Sequence, residues 1–398
     1  MTGIVLGLQS TVDYEVVWDS AVLEQLVQYY GITRDELDSA LPIDTERDLV
    51  VSLLAFVRDG AGGERFVASS DIVGQFAHRF AMAITLGGTP LRAALAMRVV
   101  GVSALLHLVS IDDNVRRLLP PDCTYICSAD HDTLDPHLIL QYREGTRVRV
   151  GDAVITAPHP NRVIFANDPP ARSLVLHPEL GDRVAEADLF LISGFNSIQE
   201  EDVLIDRLEA IVDITQGLPA GALSIYEEAG FHLPSRTGLV RDKIAPAVDV
   251  YGMNEEELQS LIGRTVDLLD PDSVQRALSE AQRLLPGPVL VVHSKYWSVA
   301  VGEDAARFGG ALDGGITMAS TRFLHGDSLS AEDYARTGEL PRHPGGIALA
   351  AELERRLGDT VRCVPALVLR TDSPTTIGLG DTFVGGFIAA LSLERSHA

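Results

Sequence analysis

Short apolar runs recur along the second half of this chain, each ending in a cluster of polar residues and each followed by a segment with helical spacing. Residues 189–193 lead to Gly194-Phe195-Asn196, 222–226 to Glu227-Glu228, 248–251 to Gly252-Met253-Asn254-Glu255-Glu256-Glu257, and 289–292 to His293-Ser294-Lys295. Runs this short, bounded this way, read as strands buried on both faces. Their alternation with helices predicts right-handed βαβ crossovers and a mainly parallel sheet, an α/β fold. In such a sheet the polar groups past the strand ends share one edge, where ligands bind. Residues 3–8 read as a first strand ending in Gln9-Ser10-Thr11-Val12-Asp13, so Asp13 joins that edge, as a hydrogen-bond acceptor for a hydroxyl or as a turn former.

Between residues 137 and 168 the pattern changes. Segments 138–142, 147–150, 153–157 and 162–166 alternate or are β-branched, and Gly145, Gly151-Asp152, Pro158 and Pro160 break them. They read as antiparallel hairpins with one polar face, hence a smaller β-rich lid beside the large α/β domain. The expected division is 1–12, 71–136 and 170–398 for the large domain, with 13–70 and 137–169 as lid segments. Within these, 20–41 reads as two polar-faced helices, 49–57 as strand or helix, and 59–64 as a Gly-rich loop carrying Glu64. Spacing from 71 to 97 is helical except at Leu86-Gly87-Gly88-Thr89-Pro90, where a Pro-led helix start puts Gly87 and Gly88 in position to press against a ligand. Residues 102–110 and 123–129 are further strand candidates.

Near the end of the chain, an apolar run at 363–369 reads as a buried strand. It precedes Thr376-Ile377-Gly378-Leu379-Gly380-Asp381-Thr382-Phe383, after which Phe387, Ala390 and Leu391 continue a helical spacing. Unpaired N–H groups and the helix dipole favour an anion at such a helix start. Gly378 and Gly380 let an anion approach the backbone, and Asp381 puts a carboxylate beside it. That combination suits phosphoryl transfer, with an anion hole and a base for the attacking hydroxyl. The plainer alternative makes Asp381 a helix cap. Asn254 and Glu257 likewise fit a capping box or a metal site, whereas Glu227 at a strand end has no such local role. Carboxylates beside a phosphate-binding loop suit Mg²⁺.

Composition narrows the class. The 398 residues carry 32 basic and 56 acidic groups, a net charge of −24, which argues against nucleic-acid and anionic-membrane partners. A phosphorylated ligand therefore needs a local basic pocket or a cation. The three cysteines, Cys123, Cys127 and Cys363, lie in apolar runs without zinc spacing and are expected to be buried free thiols. Neither a signal-peptide pattern at the N-terminus nor an uncharged apolar run of spanning length is found, so a cytoplasmic protein is expected.

Taken in order, these motifs resemble the ADP-dependent glucokinase and phosphofructokinase family, within the ribokinase-like superfamily. Gly378-Leu379-Gly380-Asp381 matches its GXGD, Asn254 to Glu257 its NXXE, and Ile225-Tyr226-Glu227 its HXE with the histidine replaced. His293-Ser294 looks like its His-Thr pair, Asn161-Arg162-Val163-Ile164 like its NRFI, and Asp13 like the Asp of N-x-N-x-D with Gln9 and Thr11 at the asparagines. The resemblance implies a ribokinase-like, Rossmann-type large domain, with a lid closing over the sugar. It implies ADP as phosphoryl donor with Mg²⁺, and AMP as product. Asp381 is then the base, Gly378 and Gly380 belong to the anion hole, and Glu227, Glu257 and Asp381 organise the metal. Asn254, His293, Ser294 and Ile377 fall at nucleotide positions; Asp13, Glu64, Gly87, Gly88, His137 and Arg162 fall at sugar positions. The first expectation is a glycolytic-type sugar kinase with a glucose-like acceptor, which Glu64 favours. Arg162 favours the alternative, fructose 6-phosphate, and a nucleoside is a further acceptor of the same class. A catalytically weak sugar- or nucleotide-binding protein is the non-enzymatic alternative, supported by Ile225.

Overall fold

Both faces of the large sheet are covered, which is why its strands read as unbroken apolar runs. In the computed structural model, which describes residues 3–230, 234–372 and 374–397, nine strands form this sheet. Their order is Val361–Pro365, Trp297–Val301, Val289–His293, Val250–Asn254, Leu223–Glu227, Leu189–Ile192, Ile4–Leu6, Leu105–Leu108 and Thr124–Cys127. All strands from Val289–His293 to Thr124–Cys127 run parallel, while Trp297–Val301 is antiparallel to both its neighbours. Alternate residues serve opposite cores: Ile4, Leu6, Leu191 and Ile225 face one, and Val5, Phe190, Ile192 and Tyr226 the other. The first strand lies between Leu189–Ile192 and Leu105–Leu108. The chain winds away from it in both directions, so a crevice opens beyond its carboxyl end.

A five-stranded sheet stands over that crevice in the order Gly63–Phe66, Asn161–Ala166, His137–Tyr142, Thr11–Val16 and Met82–Gly87. Arg147–Val150 and Ala153–Thr156 form a separate hairpin. Residues 137–168 thus supply the expected antiparallel pairs. Several sequence readings need correction. Residues 71–97 hold, between the helices Ser70–Ala77 and Thr89–Val99, the strand Met82–Gly87, which pairs with Thr11–Val16 in the small sheet rather than the large one. Glu64 sits in the strand Gly63–Phe66, not in a loop, because that stretch finds a parallel partner in Asn161–Ala166. Residues 49–57, read as strand or helix, are helical: they lie in Glu46–Asp59 and are buried throughout, so that no polar face marks the helix within that stretch. Only Ser20–Tyr30 of the region 20–41 is an α-helix, followed by a single 3₁₀ turn at Arg34–Glu36. The last strand ends at Pro365, and residues 366–369 leave the sheet. The cysteines are free as expected, but only Cys363 is buried; Cys123 and Cys127 on the edge strand side are half-buried.

The helix Leu379–His397 is clamped between Gly309–His325 and Thr89–Val99. Glycines set the spacing. A Cβ on Gly386 would come within 2.4 Å of the Gly314 carbonyl oxygen and 2.5 Å of Met318 Cβ, and one on Gly385 within 2.6 Å of the Ala93 carbonyl oxygen. Backbone against backbone leaves no slack, so the first turn of this helix has a fixed address. Among the described residues no helix is long and apolar enough to cross a membrane. Overpacking this crossing is expected to be costly: Gly386→Val should lower stability by about 1–3 kcal/mol, read as a fall in the thermal unfolding midpoint.

Candidate functional site

The carboxyl edge of the large sheet and one face of the small sheet enclose a cleft of about 830 Å³. At its centre is the turn before the last helix. Gly378 has φ of +67°, a conformation that glycine adopts without strain. The Gly378 carbonyl then accepts from the N–H and the hydroxyl of Thr382, at 3.0 and 2.7 Å. Leu379 begins the helix, which places Asp381 in its first turn. The Asp381 carboxylate is oriented from outside: Thr89 Oγ1 donates to Oδ1 at 2.7 Å, and Arg92 Nε lies 3.9 Å from Oδ2. A side chain held by another helix, with one oxygen facing the cleft, differs from a simple cap. A Cβ on Gly380 would meet only His293 Cε1, at 3.5 Å, so the space over that residue is open to a ligand.

Arg92 lines the cleft with 4% of its side chain exposed. Its Nη2 donates to Asp13 Oδ2 at 2.8 Å and to Glu15 Oε1 at 3.4 Å. Asp13 also accepts from Thr11 Oγ1 at 2.8 Å. Asp13 is therefore buried and neutralised, which differs from a carboxylate offered freely to a sugar. Gly87 does not line the cleft; its bare Cα makes room for Asp13 and Thr11, whose oxygens would lie 2.3 Å from a Cβ there. Gly88 does line it, with φ of +86° and the Gln9 carbonyl against its back.

The small sheet contributes alternating residues, His137 and Ile139 from one strand, Arg162 and Ile164 from the next, with Glu64 beyond. His137 Nε2 is 3.2 Å from Asp168 Oδ2. Burial alone would lower the His137 pKa, but the bond and charge of Asp168, with Asp13 and Glu64 behind it, outweigh burial and leave the pKa raised. Enclosure raises the Glu64 pKa against the pull of His137 and Arg162; the side chain stays open to water in the cleft, so screening keeps this effect small. Arg162 is exposed to the cleft and has no hydrogen-bonded carboxylate among the described residues. Across the cleft, Thr376 Oγ1 donates to Gln141 Oε1 at 2.6 Å, joining the small sheet to the loop before Gly378.

The opposite end has apolar walls (Ile316, Ala319, Phe323, Leu367) and a polar rim of Asn254, His293, Ser294 and Lys295, with Ile377 between it and Asp381. His293 stacks on Phe383 at 4.5 Å between ring centroids, and its Nε2 lies 3.0 Å from Glu227 Oε1. Asn254 and Glu257 form the reciprocal capping box: Asn254 Oδ1 accepts from the N–H of Glu256 and Glu257, and Glu257 Oε2 accepts from the N–H of Asn254. Both still face the cleft. Desolvation raises the Glu227 pKa despite the His293 bond, and desolvation with the Glu227 charge pushes Glu257 well up. A hard divalent cation would relieve this crowding. Among the described residues no three His, Cys, Asp or Glu side chains are grouped to hold a metal unaided. Mg²⁺ commonly takes one or two carboxylates plus waters and phosphates, so the donor set fits that ion as a partner of a bound nucleotide.

Residues 2–285 match the family described as the ADP-specific Phosphofructokinase/Glucokinase conserved region. The chain belongs to this family. An ADP-specific phosphofructokinase of Pyrococcus furiosus is 26% identical over 306 residues, 67% of this chain and 65% of that protein. One from Thermococcus litoralis is 23% identical over 303 residues, again 67% and 65%. The match thus spans 65% of the length of these curated relatives. Among solved structures, a hypothetical ADP-dependent phosphofructokinase from Pyrococcus horikoshii OT3 superposes with a TM-score of 0.79 at 18% identity, covering 100% of this chain and 99% of that one. An ADP-dependent kinase in complex with fructose-6-phosphate and ADPβS gives 0.71 at 16% identity, covering 98% and 94%. Adenosine kinase from Anopheles gambiae shares the fold more distantly, at 0.52 and 14% identity, covering 99% and 90%. The ribokinase-like α/β fold read from the sequence is the fold of this family member.

Reasoning from sequence missed Thr89, Arg92, Asp168 and Glu228. Glu228 is held by Arg241 and by the Tyr251 hydroxyl at 2.9 Å, so it is fixed beside Glu227 rather than interchangeable with it. Arg92 left a readable sign, an arginine inside the apolar helix Leu91-Arg92-Ala93-Ala94-Leu95, since a buried guanidinium demands carboxylate partners. The two partners lie in Thr11–Val16, which no local pattern links to that helix.

The His137–Asp168 pair makes a pH prediction. With its folded pKa above the ordinary 6.5, His137 contributes stability that is complete below about pH 6.5 and lost as pH rises through the folded value. Asp168→Asn keeps the cap on Ala171 N–H, which Asp168 Oδ1 now supplies, and removes the charge. The imidazole should then titrate at lower pH by NMR. The denaturant-measured stability gap from the wild type should be widest below about pH 6.5 and narrow towards alkaline pH.

Proposed function

We propose that this family member transfers the β-phosphoryl group of ADP to a sugar hydroxyl, releasing AMP, with fructose 6-phosphate ahead of glucose as acceptor. The observation that carries the reading is the placement of Asp381, held by Thr89 from a different helix, in one cleft lined by the polar residues His137, Arg162 and Glu64 and by the apolar residues Ile316, Ala319, Phe323 and Leu367. The acceptor order rests on the names of the Pyrococcus furiosus and Thermococcus litoralis relatives and on Arg162, whose guanidinium fork suits a phosphate. A glucose-like acceptor is the second reading, favoured by Glu64, which accepts from hydroxyls and repels a phosphate.

In this reaction the acceptor hydroxyl lies between the small sheet and Asp381. Thr89 occupies Oδ1, so Oδ2 takes the hydroxyl proton as the oxygen–phosphorus bond forms. The N–H groups at the start of the helix Leu379–His397 receive the charge on the moving phosphoryl group. AMP leaves with the electron pair of the broken bond. Glu227, Glu257 and Asp381 are the residues that would hold Mg²⁺, which when bound offsets diphosphate charge. The small sheet serves as a lid: bringing His137, Arg162 and Glu64 onto the sugar excludes water as a competing acceptor. Ile225, at the histidine position of the resemblance, is 2% exposed in the sheet core, while His293 meets Glu227 from a neighbouring strand. That arrangement supports an active enzyme over a weak binding protein.

The test is AMP release from ADP over a panel of sugars, sugar phosphates and nucleosides, with ATP as the alternative donor. Asp381→Asn should reduce kcat on the order of 10²-fold or more. Unchanged turnover in that variant would sink the assigned mechanism. Glu64→Gln should lower KM for fructose 6-phosphate by about twofold to tenfold through lost repulsion while weakening glucose; the reverse pattern restores the neutral sugar as first acceptor.

A further inference from the structure

Arg92 is not explained by packing. The guanidinium is buried in a helix of small apolar residues, yet it uses only one nitrogen on its close partners: Nη2 serves both Asp13, at 2.8 Å, and Glu15, at 3.4 Å. Nε and Nη1 make no hydrogen bond among the described residues, and Asp381 Oδ2 lies 3.9 Å from Nε, beyond bonding reach. These donors lie against the anion-binding turn itself. A Cβ on Gly378 would lie 2.9 Å from Nη1 and 3.1 Å from Nε, so the bare glycine backbone rests on the guanidinium. The side chain is anchored at one end and has spare donors at the other, beside the base and beneath the turn.

We propose that Arg92 is a second catalytic arm of the phosphoryl site, its Nε–H and Nη1–H donating to non-bridging oxygens of the transferring group while Nη2 remains on Asp13. This rests on the phosphotransferase reading above and names a residue that reading did not use. No proton moves at Arg92. The acceptor proton goes to Asp381, the new oxygen–phosphorus bond forms, the bond to the leaving phosphate breaks with its electron pair, and the guanidinium balances charge that gathers on the phosphoryl oxygens. Lying against Gly378 beside the helix start, it adds side-chain donors to the backbone N–H groups of the anion hole. Anchoring on Asp13 fixes the arm before substrate arrives, so no reorganisation accompanies the step.

Wild type, Arg92→Lys, Arg92→Ala and the double variant Asp13→Asn/Arg92→Ala are compared for AMP formation at saturating ADP and acceptor, each with its unfolding midpoint. The double variant removes both members of the buried pair and keeps the test readable if Arg92→Ala alone fails to fold. Arg92→Ala should lose on the order of 10²–10³-fold in kcat, with KM for ADP changed by less than about threefold. Lysine should recover about tenfold of that loss, and added guanidinium ion should rescue the alanine variant saturably, by about tenfold or more. A purely structural arginine would show neither rescue. A kcat within about threefold of wild type in any folded variant lacking Arg92 overturns the proposal. If the wild type releases no AMP with any acceptor, the kinase reading fails on its own. Arg92 is then judged by binding of inorganic phosphate: a loss of about tenfold or more in Arg92→Ala supports the arm, and equal binding removes it.

Discussion

A guanidinium with 4% of its surface exposed must be paired where it sits. Arg92 belongs to a helix packed beneath the large sheet's crevice, and its partners Asp13 and Glu15 belong to the small sheet. One buried ion pair therefore ties the two layers together within the lining of the cleft. Removing one partner from such a pair costs about 3–5 kcal/mol, because the remaining charge is stranded rather than because the bond is strong. Much else follows from its placement. Gly378 and Gly87 need bare Cα atoms to accommodate Arg92 and Asp13, and the glycine-spaced helix crossing behind Asp381 holds the reacting turn against them.

Negative charge dominates the molecule, and its distribution in the cleft is uneven. At the end lined by Asn254 and His293, Glu227, Glu228 and Glu257 crowd together; of these only Glu228 is answered by an arginine, and Glu227 is answered by His293. Burial and mutual repulsion raise the pKa of Glu227 and Glu257. At the small-sheet end His137, Arg162 and Arg92 stand among Asp13, Glu64 and Asp168, each carboxylate close to a cation. The same cleft thus has an end where acidic groups are unbalanced and an end where each carboxylate has a nearby cation. The net charge of −24 is thus distributed unevenly even within this one cleft.

The large sheet was legible because burial on both faces leaves one hydrophobic signature per strand, and because the Gly-x-Gly-Asp and Asn-x-x-Glu patterns mark helix starts directly. The small sheet was legible only in part. Residues 137–168 announce hairpins through Gly and Pro, but Met82–Gly87 is hidden between two helices, and its strand identity comes from pairing with Thr11–Val16, far away in sequence. Glu64 owes its strand to Asn161–Ala166 in the same way. Carboxylates could be placed at the site because strand ends converge, whereas their partners could not. Thr89, Arg92 and Asp168 meet Asp381, Asp13 and His137 across contacts set by tertiary geometry.

The bond between Thr376 and Gln141 joins the strand His137–Tyr142 to the three-residue approach to Gly378. Gln141 shares its strand with His137, which lines the cleft. A strand is stiff along its length, and a single hydrogen bond yields over less than an ångström before it breaks. Tilting the small sheet away from the large one would have to stretch or break that link. The small sheet and the turn that opens the last helix are thus joined directly at this point, independently of the sheets' own hydrogen bonds.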